Sequence, residues 1–201
     1  MPVSMIVVDD FLEHPEEFRA GALRLTYPAQ EQYFPGRNSK ERINLEGLTE
    51  EVCHLTGERL TALDPPHSHR KCRITLAGDE GKGNVHIDPG YWSGILYLSR
   101  PQDCRGGTDF FRHIPTNTDR APVTPDELSA MGFADFDAMR RELVEKDSMD
   151  ESKWELTHSI PMRFNRLVLL RPWLWHSASP GFGDSLENGR LIYVMFFQPV
   201  R

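Results

Sequence analysis

A chain of 201 residues, 39% hydrophobic and 26% charged, can bury a sizeable core and is too ordinary in composition for disorder. Its formal net charge of -7 at pH 7 argues against a nucleic-acid partner, since phosphate binding needs a concentrated Lys/Arg surface. Cys53, Cys72 and Cys104 lack zinc or redox spacing, and no window reads as a signal peptide or membrane span, so a cytoplasmic single-domain protein is expected, acting on a small molecule or peptide.

In chain order, MIVVDDFLEHPEEFRAGALRL reads as a short strand followed by a helix from Pro15, whose missing N–H is harmless at a first helical position. Phe18, Ala22 and Leu25 form its apolar face. A second helix is expected from Thr49 to Leu63, with Leu48, Val52, Leu55 and Leu60 on one stripe and Pro65-Pro66 ending it. The texture then changes to short β segments: KCRITLAG, NVHID, YWSGILYLS, GGTDFF, WELTHSIP, RFNRLVLLR, LWHSAS and GRLIYVMFF. That succession predicts a mainly β (α+β) sandwich or barrel. A helical insert, about 113–159, interrupts it. Thr124-Pro125-Asp126-Glu127 is a capping box with proline at N1. Residues 1–69 are read as helical support and 70–201 as the β core.

His86 and Asp88, in GNVHIDPGYW, stand two positions apart, so on an extended chain both side chains point the same way and can grip one ion. The pattern alone is weak, and His14-Pro15-Glu16 is a decoy of the same form. In RPWLWHSAS, alternation places His176 with Leu174, Leu170 and Val168 on one face, and Trp175, Trp173 and Arg171 on the other. His176 is thus either a satisfied core histidine or a third ligand. Arg190 opens GRLIYVMFF on the side of Ile192, Val194 and Phe196, and a guanidinium there needs an anionic partner, either a protein carboxylate or a ligand. Tyr97 shares a face with Ile95, Ser93 and Tyr91, and its hydroxyl needs a partner too. His67 and His69 read as solvated loop residues, His113 and His158 as fallback ligands, and Trp173 and Trp175 as sheet packing.

Taken together, HIDPG, ILYLS, GGTDFF, FNRLVLLRPWLWH and GRLIYVMFF resemble the non-haem Fe(II)/2-oxoglutarate-dependent dioxygenases, especially their prolyl-hydroxylase-like branch, over roughly residues 70 to 200. The resemblance implies a double-stranded β-helix, a jelly-roll or cupin-like barrel with N-terminal helices and a helical insert. It also implies a facial triad of His86, Asp88 and His176 on Fe(II), with three positions left open. Arg190 matches the residue that meets the distal carboxylate of 2-oxoglutarate, with Tyr97 as its hydrogen-bonding neighbour. The implied reaction consumes O2 and 2-oxoglutarate, releases succinate and CO2, and hydroxylates a carbon. Asp88 argues against halogenation, since related halogenases carry a small residue there.

The chain departs from the pattern in a longer interval between His176 and Arg190, filled by SASPGFGDSLENG, and in Ile192, where many relatives carry a hydroxyl. An amino acid, peptide or amino-acid-derived metabolite is the expected substrate. Tyr91 and Asp109 are the candidate contacts. The insert, the HSASPGFG loop and YPAQEQYFPGRNS are expected to form the walls. Two other classes remain open from sequence: a cupin-like metalloenzyme that does not use 2-oxoglutarate, and a non-catalytic binding module. Oligomeric state is not encoded in any feature of the chain.

Overall fold

The computed structural model describes residues 3–29 and 33–200. It is mainly β, with all strand pairing antiparallel. One sheet runs β1 (Met5–Val8), β8 (Leu167–Leu170), β5 (Trp92–Tyr97), β10 (Arg190–Pro199), β4 (Lys71–Thr75) and β2 (Arg37–Asn38), with β3 (Leu60–Ala62) pairing the far end of β10. The other is β7 (Trp154–Pro161), β6 (Gly107–His113) and β9 (His176–Ala178). Among the described residues no helix is long and apolar enough to cross a membrane.

Alternation decides what each face of the large sheet meets. Leu96, Leu167, Leu169, Leu191, Tyr193 and Met195 point to one side, where they pack with Ala22 of α1 (Pro15–Leu23) and with Leu48 and Val52 of α2 (Leu48–Thr56). The intervening residues Tyr97, Val168, Leu170, Ile192 and Val194 point to the other side and meet Phe110 of the small sheet. The large sheet is therefore covered on both faces at its centre, where β8, β5 and β10 are buried nearly throughout.

Both N-terminal helices are present, but α2 stops at Thr56 rather than Leu63. Gly57 adopts φ 70 and returns its N–H to the Cys53 carbonyl, a left-handed cap that glycine takes without steric cost. Leu60 is buried as expected, but from a strand. Of NVHID only His86 pairs, through an isolated bridge to His176. The segment from Leu167 to Ala178 is two strands, interrupted by a turn in which Leu174 N–H bonds the Arg171 carbonyl.

The insert is shorter than the expected 113–159. His113 closes β6 and Trp154–Pro161 is strand β7, which leaves residues 114–153 between them. Within it lie α3 (Pro125–Ala130), with Thr124 Oγ1 accepting from Glu127 N–H, then α4 (Phe136–Met139) and a π-helical turn, Arg140–Glu145. The insert packs a satellite core of Leu128, Met139 and Leu143 against Val85, Trp175 and Trp154 at the start of β7. It thereby leans on the segments flanking His86 and His176.

Candidate metal centre

His86, Asp88 and His176 converge, each offering a ligand atom within 4.8 Å of the others. Nε2 of His176 stands 3.3 Å from Asp88 Oδ2, and Nε2 of His86 stands 3.7 Å from Asp88 Oδ1. The backbone sets this up. His86 and His176 exchange main-chain hydrogen bonds, and Asp88 N–H bonds the Pro172 carbonyl at 2.9 Å. From the insert, Ser148 accepts from Asn84 N–H and donates to the Val85 carbonyl, both at 2.8 Å, just ahead of His86.

The two imidazoles are oriented by the same device. Nδ1 of His86 lies 2.8 Å from the Asn84 carbonyl, and Nδ1 of His176 lies 2.7 Å from the Leu174 carbonyl. A carbonyl only accepts, so each Nδ1 carries a proton and each Nε2 faces Asp88. Burial pushes the His86 pKa down to about 4, so it is neutral at pH 7. Burial opposes the charge on Asp88, but its hydrogen bond and attraction to His176 prevail and hold the carboxylate well below its ordinary range. Burial opposes the charge on His176, but its hydrogen bond and attraction to Asp88 raise its pKa. Once the proton between them leaves, two imidazole nitrogens and one carboxylate form a donor set suited to a divalent first-row metal, Fe(II) included.

These residues line a cavity of about 380 Å³ that also contains Arg190, Arg73 and Thr108. Arg190 is 1% exposed. Its Nη2 donates to the Gly107 carbonyl at 3.2 Å, while Nε is buried without a partner. Among the described residues no carboxylate lies within 4.0 Å of it. Burial lowers the Arg190 pKa, and Tyr97 and Asp109 oppose the shift. The Tyr97 hydroxyl pairs with Thr108 Oγ1 at 2.7 Å, and the Tyr97 ring centroid lies 5.9 Å from the Arg190 guanidinium carbon.

The two candidate substrate contacts lie elsewhere. Tyr91 precedes β5, stacks edgewise on Trp173 at 5.5 Å and sits beneath the Arg171 guanidinium, outside the cavity lining. Asp109 accepts hydrogen bonds from Ser159 of β7 and from Ser179, just past β9, because alternation turns its neighbours Thr108 and Phe110 inward instead. His69 is not solvated: it is 2% exposed and its Nδ1 accepts from Phe196 N–H. His67 is exposed and borders the cavity. His113 is buried against Asp147 at 3.1 Å, and His158 stacks on Phe110.

Of the expected walls, the insert contributes Arg140, Val144 and Glu145, and the loop after β9 contributes no side chain beyond Ala178. Tyr33 and Phe34 of YPAQEQYFPGRNS line the cavity, while Gln30, Glu31 and Gln32 lie outside the described residues. Sequence reasoning missed Arg73 and Thr108. The Thr108 signal was the alternation of GGTDFF; Arg73 gave none, because its flanking Cys72 and Ile74 make its side of β4 look solvated.

A family model described as "Family of unknown function (DUF6445)" matches residues 2–197. No curated protein sequence matches the chain. Among solved structures, SnoN, a non-haem α-ketoglutarate-dependent epimerase from nogalamycin biosynthesis, aligns with TM-score 0.56 at 13% identity, over 98% of this chain and 78% of its own. SnoK, a non-haem α-ketoglutarate-dependent carbocyclase from nogalamycin biosynthesis, aligns with TM-score 0.53 at 14% identity, over 98% and 79%. HygX from Streptomyces hygroscopicus, with nickel and 2-oxoglutarate bound, aligns with TM-score 0.51 at 16% identity, over 98% and 83%. At these identities the likeness is one of fold. The chain shares the fold of non-haem 2-oxoglutarate-dependent oxygenases and, by a match over nearly its whole length, belongs to the DUF6445 family.

Proposed function

We propose that the protein is an Fe(II)- and 2-oxoglutarate-dependent oxygenase that hydroxylates a carbon of an amino acid, peptide or amino-acid-derived metabolite. The observation that carries this reading is the buried guanidinium of Arg190, without a carboxylate partner among the described residues, in the same cavity as a His/Asp/His donor set. An unpaired buried cation is costly, so the site is built for an anion that arrives from outside. The cupin-like alternative needs Arg190 paired with a protein carboxylate, which the ion pairs among the described residues do not provide. HygX, with metal and 2-oxoglutarate in a related fold, supports the choice of co-substrate.

On this reading the whole chain is one catalytic domain and the two sheets form a double-stranded β-helix. His86, Asp88 and His176 hold Fe(II). Bound there, the ion would supply activation of O2, the oxidant, one of whose oxygens would go to succinate as 2-oxoglutarate loses CO2 and the other to the substrate carbon. Arg190 binds the distal carboxylate through its free N–H groups, and Thr108, tied to Tyr97, offers a hydroxyl beside it. The apolar lining, Ile95, Ile192, Val194 and Phe196, excludes water from the reacting carbon. A reducing cytoplasmic setting accords with the three free cysteines.

The test is anaerobic titration of the Fe(II)-loaded protein with 2-oxoglutarate, watching for the visible metal-to-ligand charge-transfer band. A saturable band is the expected result. Iron binding with no band would transfer the protein to the cupin-like class, and no iron binding would leave a non-catalytic module.

A further inference from the structure

Arg73 is the second guanidinium of the cavity, and its placement differs from that of Arg190 in kind. It lies on β4 directly opposite Ile192 of β10, on the face turned to the metal ligands. Its guanidinium carbon stands 3.3 Å from the ring centroid of Phe34, which covers one face of the group. Its Nε donates to Asn38 Oδ1 at 2.8 Å. Asn38 is 5% exposed and held in turn by donating from Nδ2 to Ser68 Oγ at 2.9 Å. One face and one edge of the guanidinium are therefore fixed by the fold. Among the described residues its two terminal nitrogens have no hydrogen-bond partner, and no carboxylate lies within 4.0 Å. Burial lowers the Arg73 pKa to about 9, which leaves it cationic at neutral pH.

Electrostatics set the sign of what belongs there. Arg73 feels the attraction of Asp88 and the repulsion of Arg190. With Fe(II) and 2-oxoglutarate in place, the ion and the two arginines carry four positive charges, against one negative charge on Asp88 and two on the co-substrate. One positive charge is left over among groups of which Arg190 and His176 are buried, where imbalance is expensive. Arg140, the other arginine of the lining, pairs with Glu145 at 3.4 Å and is largely exposed, so it does not answer for that charge.

We propose that Arg73 reads the substrate, and that the substrate is a carboxylate: two oxygens of a planar anion docking on the two free nitrogens of the guanidinium edge. This rests on the oxygenase reading and narrows it to acids, with the susceptible carbon held between the metal ligands and Arg73. A planar fork held on one face and one edge matches a carboxylate with little conformational entropy left to lose.

The experiment compares N-acetyl amino acids with their C-terminal amides as probes, on protein loaded with Ni(II) and saturated with 2-oxoglutarate. Binding is read by ligand-observed NMR and calorimetry. Wild type should favour the acids about tenfold over the amides, as one charge-assisted hydrogen-bond pair allows. Arg73→Met should erase that preference and leave 2-oxoglutarate affinity within about threefold. If Arg73→Met does not fold, Arg73→Lys decides by the same comparison, since it keeps the cation but loses the fork, and its preference should fall below half that of wild type. A wild type indifferent to charge, a preference that survives in the variant, or a loss of 2-oxoglutarate binding as large as that of Arg190→Met each overturns the proposal. If wild type does not bind 2-oxoglutarate, the oxygenase reading fails, and the same acid-against-amide comparison on protein with Ni(II) alone still decides the role of Arg73.

Discussion

His86 and His176 exchange both of their backbone hydrogen bonds, at 2.9 and 3.2 Å, and their rings stand 4.5 Å apart. The bridge locks two segments remote in sequence at fixed register, so the two Nε2 atoms share one target. Preorganisation of that kind lowers the entropy lost when an ion binds.

Removing a ligand should therefore cost affinity rather than fold. Asp88→Ala and His176→Ala should each weaken Fe(II) or Mn(II) binding by about 100-fold or more, with far-UV circular dichroism unchanged. Calorimetric titration under anaerobic conditions measures it. Undiminished binding in both variants would place the metal elsewhere.

Arg190→Met separates a ligand-binding arginine from a structural one. An unpaired buried guanidinium destabilises the ligand-free protein, so the variant should melt at the same temperature or higher. Its 2-oxoglutarate affinity should fall by about 30-fold or more. A large drop in melting temperature without 2-oxoglutarate would instead reveal a structural partner.

Ser148 is the clamp through which the insert reaches the metal centre. Ser148→Ala leaves Asn84 N–H and the Val85 carbonyl without their partner, in a region where Ser148 is 2% exposed. Orphaned groups of this kind cost about 1–3 kcal/mol. Chemical denaturation should show that loss, and metal titration should show weaker binding as the approach to His86 loosens. Retention of both would mean that the backbone bridge alone positions His86.

Acid should destabilise the fold through His69. Its pKa is pushed from 6.5 to about 4, first by burial and then by Arg70 and Arg42, with the hydrogen bond from Phe196 opposing. The folded state therefore binds fewer protons than the unfolded state between these values. The stabilisation is complete above about pH 6.5 and is lost as pH falls toward 4, amounting to about 2 kcal/mol by pH 5. His69→Asn, which keeps an acceptor for Phe196 N–H but does not titrate, should lose less stability over that interval. His86 shifts in the same direction, and comparing variant with wild type at each pH cancels its contribution. Parallel pH curves for the two proteins would contradict the assignment.

The sequence by itself determined the mainly β texture, the approximate order of elements and the inward face of most core strands, because side-chain period and turn residues are local properties. It also singled out His86 and Asp88 by their spacing and by the resemblance of the surrounding motifs, and His176 and Arg190 because a charged or ligating side chain on an apolar face is anomalous wherever it occurs. The end of α2 was legible in principle, through Gly57, but the apolar spacing of Leu60 concealed it. Arg73 was beyond reach. Alternation in KCRITLAG puts Cys72 and Ile74 on the helix-covered face and leaves Arg73 on the other, which in an isolated strand would be solvent. Only the tertiary structure decided that this second face looks into the cavity, because covering depends on how β4 pairs with β10 and on where Phe34 comes to rest. Tyr91 and His69, both just outside strands, were misplaced because what surrounds such a side chain is set by contacts remote in sequence.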